Sequence, residues 1–408
     1  MQTNNPPQSG ARATAERLPV AALLALAMTG FICIATETLP AGLLPNISDQ
    51  LGVTTAMAGQ TVTAYALGSV LAAIPLTIAT STWRRRNVLL LTIIGFLVFN
   101  TVTALSSHFW LTMTARFFAG AAAGLAWSLL AGYARKMVAV HQQGRAMAIA
   151  MVGTPIALAL GVPLGTWLGN ALGWRSAFGI MSALSVLLIG WVLAKVPDYA
   201  GQQASERVGM RSVLVTPGVR PVLATVIAWM LAHNILYTFI APFVERAGLQ
   251  GRVDLILLVF GLAALVGIWI AGRTVDRHLR TAVLASLVAF ALVSLVFIAW
   301  SERPLAIYAG TAVWGITFGG AATLLQTALA DSAGAGADVA LSMNVVAWNS
   351  AIAGAGVLGG VLLQTWGAGA FPWALLGLLG IALGIVWSAR VHGFRNGPRT
   401  CGAAVAGH

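Results

Sequence analysis

Charge-free runs of membrane-spanning length alternate with short loops along this chain, and basic residues crowd only every second loop. Arg84, Arg85 and Arg86 mark one such loop, set between two long apolar stretches. Arg and Lys resist translocation, so loops rich in them stay on the cytoplasmic side of a bilayer. The pattern therefore describes a chain threaded repeatedly through a membrane.

Composition agrees. Of the 408 residues, 58% are hydrophobic and 8% charged, with a mean hydropathy of +0.85. A soluble globular chain carries roughly 25% charged residues, and one with so few would expose large apolar patches. The net charge of +12 would suit a nucleic-acid partner, but the charges sit in short loops between hydrophobic spans, so topology explains them and nucleic acid is excluded. Cys33 falls in the first span and Cys401 in the terminal tail, which rules out a disulfide framework. Residues 1–17 read as a disordered cytoplasmic tail. The apolar run Leu18 to Thr36 exceeds the about 7–15 residues of a signal-peptide core, and Glu37 and Pro40 follow it instead of a cleavage site.

Spanning takes about 20 residues of helix. Twelve spans are expected, at 18–40, 55–80, 87–106, 109–134, 145–168, 175–195, 220–244, 253–272, 280–300, 303–330, 339–365 and 371–390. With the N-terminus inside, all but five of the 23 Lys and Arg residues fall on the cytoplasmic side. Arg175, Arg246, Arg252 and Arg303 lie outside, and Arg116 falls within a span. Both termini are then cytoplasmic. The polar stretch 196–219 divides the spans six and six, giving an all-α membrane protein of 12 transmembrane helices in two pseudo-symmetric bundles, 18–195 and 220–390, with a cytoplasmic tail at 391–408. Two features repeat at nearly one offset, as in a duplicated half. Gly161 to Gly165 matches Gly356 to Gly360 at 195 residues, and the basic clusters ending at Arg86 and Arg280 lie 194 apart.

Polar groups inside spans are costly unless paired or used. Arg116 needs a partner in a low-dielectric site, although its distance from the outer interface also permits snorkelling. Glu37 is the sole carboxylate near the first-half core. A buried carboxyl can exchange a proton when its site opens to water, while a span ending at residue 40 would put it near the outer edge, as an interfacial acid. His233 and Asn234 fall mid-span, as a site for substrate or proton or as ordinary packing. Tyr65, Trp127, Tyr237, Trp314, Gln326, Asn344, Trp348 and Asn349 are also deep in spans, an aromatic and amide set suited to a neutral, partly apolar ligand or to packing. Gly153, Gly161, Gly165 and Gly169 with Pro155 and Pro163 leave room in span five for close helix approach and a bend. Gly354 to Gly359 mimics a dinucleotide fingerprint, but no strand precedes it. No nucleotide loop, metal-ligand cluster or hydrolase triad is visible, and no cofactor is implied.

Several stretches together resemble the major facilitator superfamily, and within it the bacterial 12-helix drug:proton antiporters of the sugar and chloramphenicol efflux branch. They are Thr36-Glu-Thr-Leu-Pro-Ala-Gly-Leu-Leu-Pro45, Gly161-Val-Pro-Leu-Gly-Thr-Trp-Leu-Gly169, Gly173-Trp-Arg-Ser-Ala-Phe178 and Gly272-Arg-Thr-Val-Asp-Arg-His-Leu-Arg280. The resemblance implies an antiporter motif in span five around Gly153, Pro155, Gly161, Pro163 and Gly165, with Val162 intruding before the proline. It implies gating loops at Arg85 and Arg86 and at Asp276, Arg277 and Arg280, although the first-half loop lacks the superfamily's acid. It implies proton coupling through Glu37 and Arg116, with His233 next; Arg116-Phe-Phe-Ala-Gly120 has Ala119 in place of the usual polar residue. The expected function is export of a small sugar-like, chloramphenicol-like or nucleoside-like solute across the bacterial inner membrane by proton antiport, as a monomer with alternating access. Proton-coupled uptake on the same fold is the alternative. A membrane enzyme or sensor would need a catalytic constellation or a signalling domain, and neither is visible.

Overall fold

The computed structural model describes residues 18–139, 142–201, 210–395 and 397. Residues 1–17, the middle of the 196–219 linker, most of the tail after Arg395 and Cys401 lie outside these. Among the described residues the chain is helical throughout, as a bilayer demands of a backbone with no water to bond. Eleven helices have membrane length and composition. One of them, 51 residues long, breaks at His278 (φ −135°, ψ 34°) into two spans, which brings the number to twelve.

The helices are α1 Val20–Leu51, α2 Thr55–Ala79, α3 Arg85–Leu105, α4 Phe109–Lys136, α5 Ala146–Leu172, α6 Trp174–Lys195 and α7 Val219–Thr238. The long hairpin provides α8 (253–277) and α9 (279–300). Then come α10 Pro304–Ala333, α11 Val339–Trp366 and α12 Ala368–Ser388. Three expected boundaries are corrected. The first helix runs to Leu51 rather than ending at 40, with Pro40 and Pro45 inside it. The seventh turns sharply at Phe239 before a short helix, Ile240–Glu245. The gating stretches are helix rather than loop: Arg85 opens α3, and 273–280 is helical except at His278. The linker holds a short helix of its own, Met210–Val215.

Ends of spans are tied in the order twelve crossings require. At one end Arg175 donates to the Ser106 carbonyl through Nε and Nη2 (3.0 and 2.9 Å) and to Gln50, while Arg246 meets Ser301 and Glu302. At the opposite, basic end Arg84 pairs with Asp198, and Arg280 clamps the end of α12.

Crossings between the bundles repeat in pairs. Span α5 packs on α8, and α11 packs on α2. A Cβ on Gly261 of α8 would overlap the backbone of Leu158 and Ala159 in α5, and a Cβ on Gly356 of α11 would overlap Thr63 Oγ1 in α2. Small residues here let backbones touch, which drives helix association where lipid removes the hydrophobic incentive. In α5 the segment Ala157–Gly161 widens into a π-helical turn, placed between Pro155 and Pro163, which cannot donate to carbonyls one turn back.

Three hydrogen bonds between the bundles lie toward the Thr54 end: Gln364 to Thr54 Oγ1 (3.5 Å), Gln60 to Gly356 O (2.9 Å) and Thr63 to Ala353 O (3.5 Å). There the bundles share one apolar core, which joins Leu39, Leu43 and Trp174 to Tyr237, Phe239 and Leu257. Toward the basic end the N-terminal bundle keeps a separate core built from Leu23, Phe96, Leu129 and Val192.

Candidate functional site

Arg116 organises the first half of the site. It is 1% exposed, deep in α4, and no carboxylate lies within salt-bridge distance of it among the described residues. Its guanidinium instead donates to three backbone carbonyls: Thr36 (Nη1, 2.5 Å), Glu37 (Nη2, 3.1 Å) and Thr61 (Nε, 3.1 Å). The Thr36 carbonyl is the one that Pro40 leaves without an α-helical donor. An arginine on α4 thus supplies the bond that a proline on α1 removes, and α1 continues where sequence reasoning ended it. The face of the guanidinium lies 4.8 Å from the centre of the Tyr65 ring, and Tyr65 donates to the Cys33 carbonyl at 2.9 Å. Asn100 completes the seat with a 3.0 Å bond to Thr36 Oγ1.

Because α1 runs to Leu51, Glu37 sits near its middle and not at an outer edge. It is 6% exposed and lies within electrostatic reach of Arg116, Tyr65 and, across the bundle interface, Tyr237. The Tyr237 hydroxyl is buried beside the Thr38 side chain, one residue along α1 from Glu37.

From Tyr237 the second half of the site continues as an aromatic cluster. His233, one turn back on α7, has its ring centre 5.3 Å from Tyr237 and stacks on Phe318 at 3.4 Å and 7°. Trp314 Nε1 donates to His233 Nδ1 at 3.1 Å. An indole N–H can only donate, so Nδ1 carries no proton and the imidazole is neutral with its hydrogen on Nε2. Phe260 lies 4.5 Å from Trp314, and Trp348 edges Phe318 at 6.4 Å. Asn234 turns back to the Met230 carbonyl at 2.8 Å, and Asn344 Oδ1 is buried without a partner.

The structure therefore brings Glu37, Arg116, Tyr65, Tyr237, His233 and Trp314 into one connected region, with Asn234 next to His233 on α7 and Trp348 reaching it through Phe318. Tyr65 and Trp314 are wholly enclosed, so they support the site instead of lining an open cavity. Trp127 packs over Gly30, and Gln326 is exposed near the basic end of α10; neither joins the cluster.

The residues expected to gate divide. Arg280 donates to the carbonyls of Val386 (2.5 Å), Phe394 (3.3 Å) and Trp387 (3.1 Å), satisfying the C-terminal end of α12. In the first half the missing acid comes from elsewhere. Asp198, three residues beyond α6, pairs with Arg84 and accepts from the Arg86 backbone N–H at 3.2 Å, while the Arg85 N–H donates to the Tyr199 carbonyl at 2.8 Å and Tyr133 to Pro197 at 2.7 Å. Partial burial pulls the Asp198 carboxyl upward, but the Arg84 and Arg86 hydrogen bonds and charges outweigh it and hold the group below the ordinary aspartate range. Sequence reasoning missed Asp198. The available signal was an acid immediately after a span whose neighbouring basic loop had none.

Twelve crossing helices in two bundles, joined through buried charged and aromatic groups near mid-membrane, define a multi-pass membrane transporter. The chain belongs to the Major Facilitator Superfamily, which it matches over residues 26–355. It is similar to proteins described as purine ribonucleoside efflux pump NepI, from Salmonella paratyphi C and Salmonella typhimurium, at 27% identity over 376 residues, covering 91% of this chain and 94% of each relative. The counterpart from Salmonella enteritidis PT4 matches over the same length at the same identity.

Proposed function

We propose that this chain exports a small nucleoside-like solute across the bacterial inner membrane in exchange for protons. The observation that carries the coupling is Glu37: a carboxyl without a salt-bridge partner among the described residues, 6% exposed, at the junction between the bundles and within reach of Arg116 on one side and Tyr237 on the other. Protonation there changes the charge balance around Arg116 at the surface that must open and close. The substrate class is supported by the relatives' purine ribonucleosides and by the aromatic cluster around His233 and Phe318, since flat, weakly polar bases pair well with stacked rings.

The relatives' description as efflux pumps supports the outward direction. With Arg84 to Arg86 and the Arg277 region in the cytoplasm, the core shared by the two bundles would lie toward the periplasmic side. An exporter of this kind takes its solute from the cytoplasm and its proton on the outward-facing return.

The test is transport in proteoliposomes with an imposed pH gradient. Labelled inosine or adenosine should move against the proton flow, and a protonophore should abolish the movement. Nucleoside flux unchanged by the protonophore would overturn proton coupling; flux with the proton flow would make the protein an uptake symporter.

A further inference from the structure

Away from the bundle junction, a cavity of about 250 Å³ opens at the basic end of the C-terminal bundle, lined by Arg277, His278, Arg280, Thr281 and Arg395. Its geometry comes from two features. The α8–α9 hairpin departs from helical geometry at His278. Arg280, 7% exposed, is spent on the carbonyls of Val386, Trp387 and Phe394, which draws the segment after α12 against the start of α9. Arg395 is thereby brought to the same cavity as Arg277, and both are exposed.

The local charge is one-sided. Arg273, Arg277, Arg280, Arg390 and Arg395 surround the region against Asp276, which already has interactions of its own. Arg280 and Arg390 repel one another. Arg273 lies over the Trp269 ring at 3.6 Å. Apolar surface lies beside the cavity: Trp387, whose ring centre is 6.0 Å from the Arg280 guanidinium, is 71% exposed, and Val391 63%. Indole rings exposed on a membrane protein sit at the headgroup level, where one end of the ring is apolar and the other wet.

A concave, cation-lined recess at that depth, with apolar surface beside it, combines phosphate recognition with a path for acyl chains. We propose that this cavity binds the phosphodiester headgroup of an anionic phospholipid, held by the guanidinium forks of Arg277 and Arg395 while Arg280 keeps the recess in shape. The occupant would bridge the α8–α9 hairpin and the segment after α12, which lie far apart in the C-terminal bundle's sequence.

Native mass spectrometry of the purified full chain tests this. Phosphatidylglycerol or cardiolipin should remain bound where phosphatidylcholine does not. The exposed pair R277A/R395A should weaken retention by about thirtyfold, at about one headgroup-arginine interaction each. Equal retention by wild type and the double variant overturns the proposal. A measurement on wild type alone keeps the question decidable should the variant fold poorly: phosphatidylglycerol should raise the melting temperature, whereas diacylglycerol, which lacks the phosphate, should not. Stabilisation by diacylglycerol equal to that by phosphatidylglycerol overturns the proposal. So does stabilisation by inorganic phosphate without lipid retention, because the site would then be one for a free anion.

Discussion

Arg116 Nη1 donates at 2.5 Å to the Thr36 carbonyl, the acceptor that Pro40 leaves without its helical donor. One side chain thereby ties α4 to α1 one residue from Glu37, so the geometry of the carboxylate and the integrity of the first helix depend on the same guanidinium.

Arg116→Lys keeps the charge but can reach at most part of the Thr36, Glu37 and Thr61 set, because an ammonium lacks the planar fork. Loss of one or two charged hydrogen bonds should cost roughly 2–4 kcal/mol of stability. Thermal unfolding in detergent reads that cost. Gradient-driven transport in the surviving protein should fall severely, and a Lys variant with wild-type flux would remove Arg116 from the coupling mechanism.

Glu37→Gln removes the titratable group with little change of shape. Folded yield and nucleoside binding should survive while pH-driven transport is lost, and solute exchange without a gradient should persist. Binding is read by isothermal titration and transport in proteoliposomes. Normal pH-driven flux would move the proton site away from α1.

Asp198→Asn should release the start of the linker from α3. Arg84 is largely exposed, so the loss is modest, roughly 1 kcal/mol, read as a fall in melting temperature at pH 7. The sign with pH follows from the depressed carboxyl. A folded value below the unfolded one stabilises fully above the unfolded range near pH 4 and fades as pH falls through the folded value. Wild type and variant should therefore converge in acid and stay separated by a constant amount between pH 5 and 8; a gap that grew across neutral pH would contradict the assignment.

Trp314→Phe removes the only proton that Trp314 offers to His233 Nδ1 and leaves a buried acceptor unpaired, at a cost of about 1–3 kcal/mol. Nitrogen-15 spectra of labelled histidine should show a single Nε2–H tautomer for His233 in wild type and a mixture in the variant. A mixture in wild type would refute the bond.

Gly261→Leu should separate α8 from α5, since backbone at Leu158 and Ala159 cannot yield as a flexible side chain would. Cysteines placed at Ala56 and Gly360, whose Cβ positions lie 3.8 Å apart across the bundles, should cross-link readily in the parent protein and several-fold more slowly in the Gly261→Leu background. Unchanged cross-linking would show that this contact does not hold the bundles together.

Fold class was legible in the sequence because a bilayer imposes one strong rule. Spans must be about 20 residues, apolar and helical, and cationic loops stay on one side. That rule located the hairpin break near 273–280 and the break before Pro372 from composition alone. It also named Glu37, Arg116, His233, Tyr237 and Trp314, since polar and aromatic groups inside a span stand out against hydrocarbon. What the rule cannot carry is partnership. Pro40 reads as a helix end in the sequence, whereas in the fold α1 continues to Leu51 with Arg116 from α4 bonding the carbonyl that Pro40 leaves without a donor. Asp198 is an ordinary linker acid until the fold brings it beside Arg84 and the Arg86 N–H. The tautomer of His233, the enclosure of Tyr65 and Trp314, and the end at which the bundles share a core are likewise set by contacts between helices distant in sequence. Hydropathy is a property of each segment by itself, whereas a hydrogen bond or a shared core needs two segments, and only the tertiary structure decides which two meet.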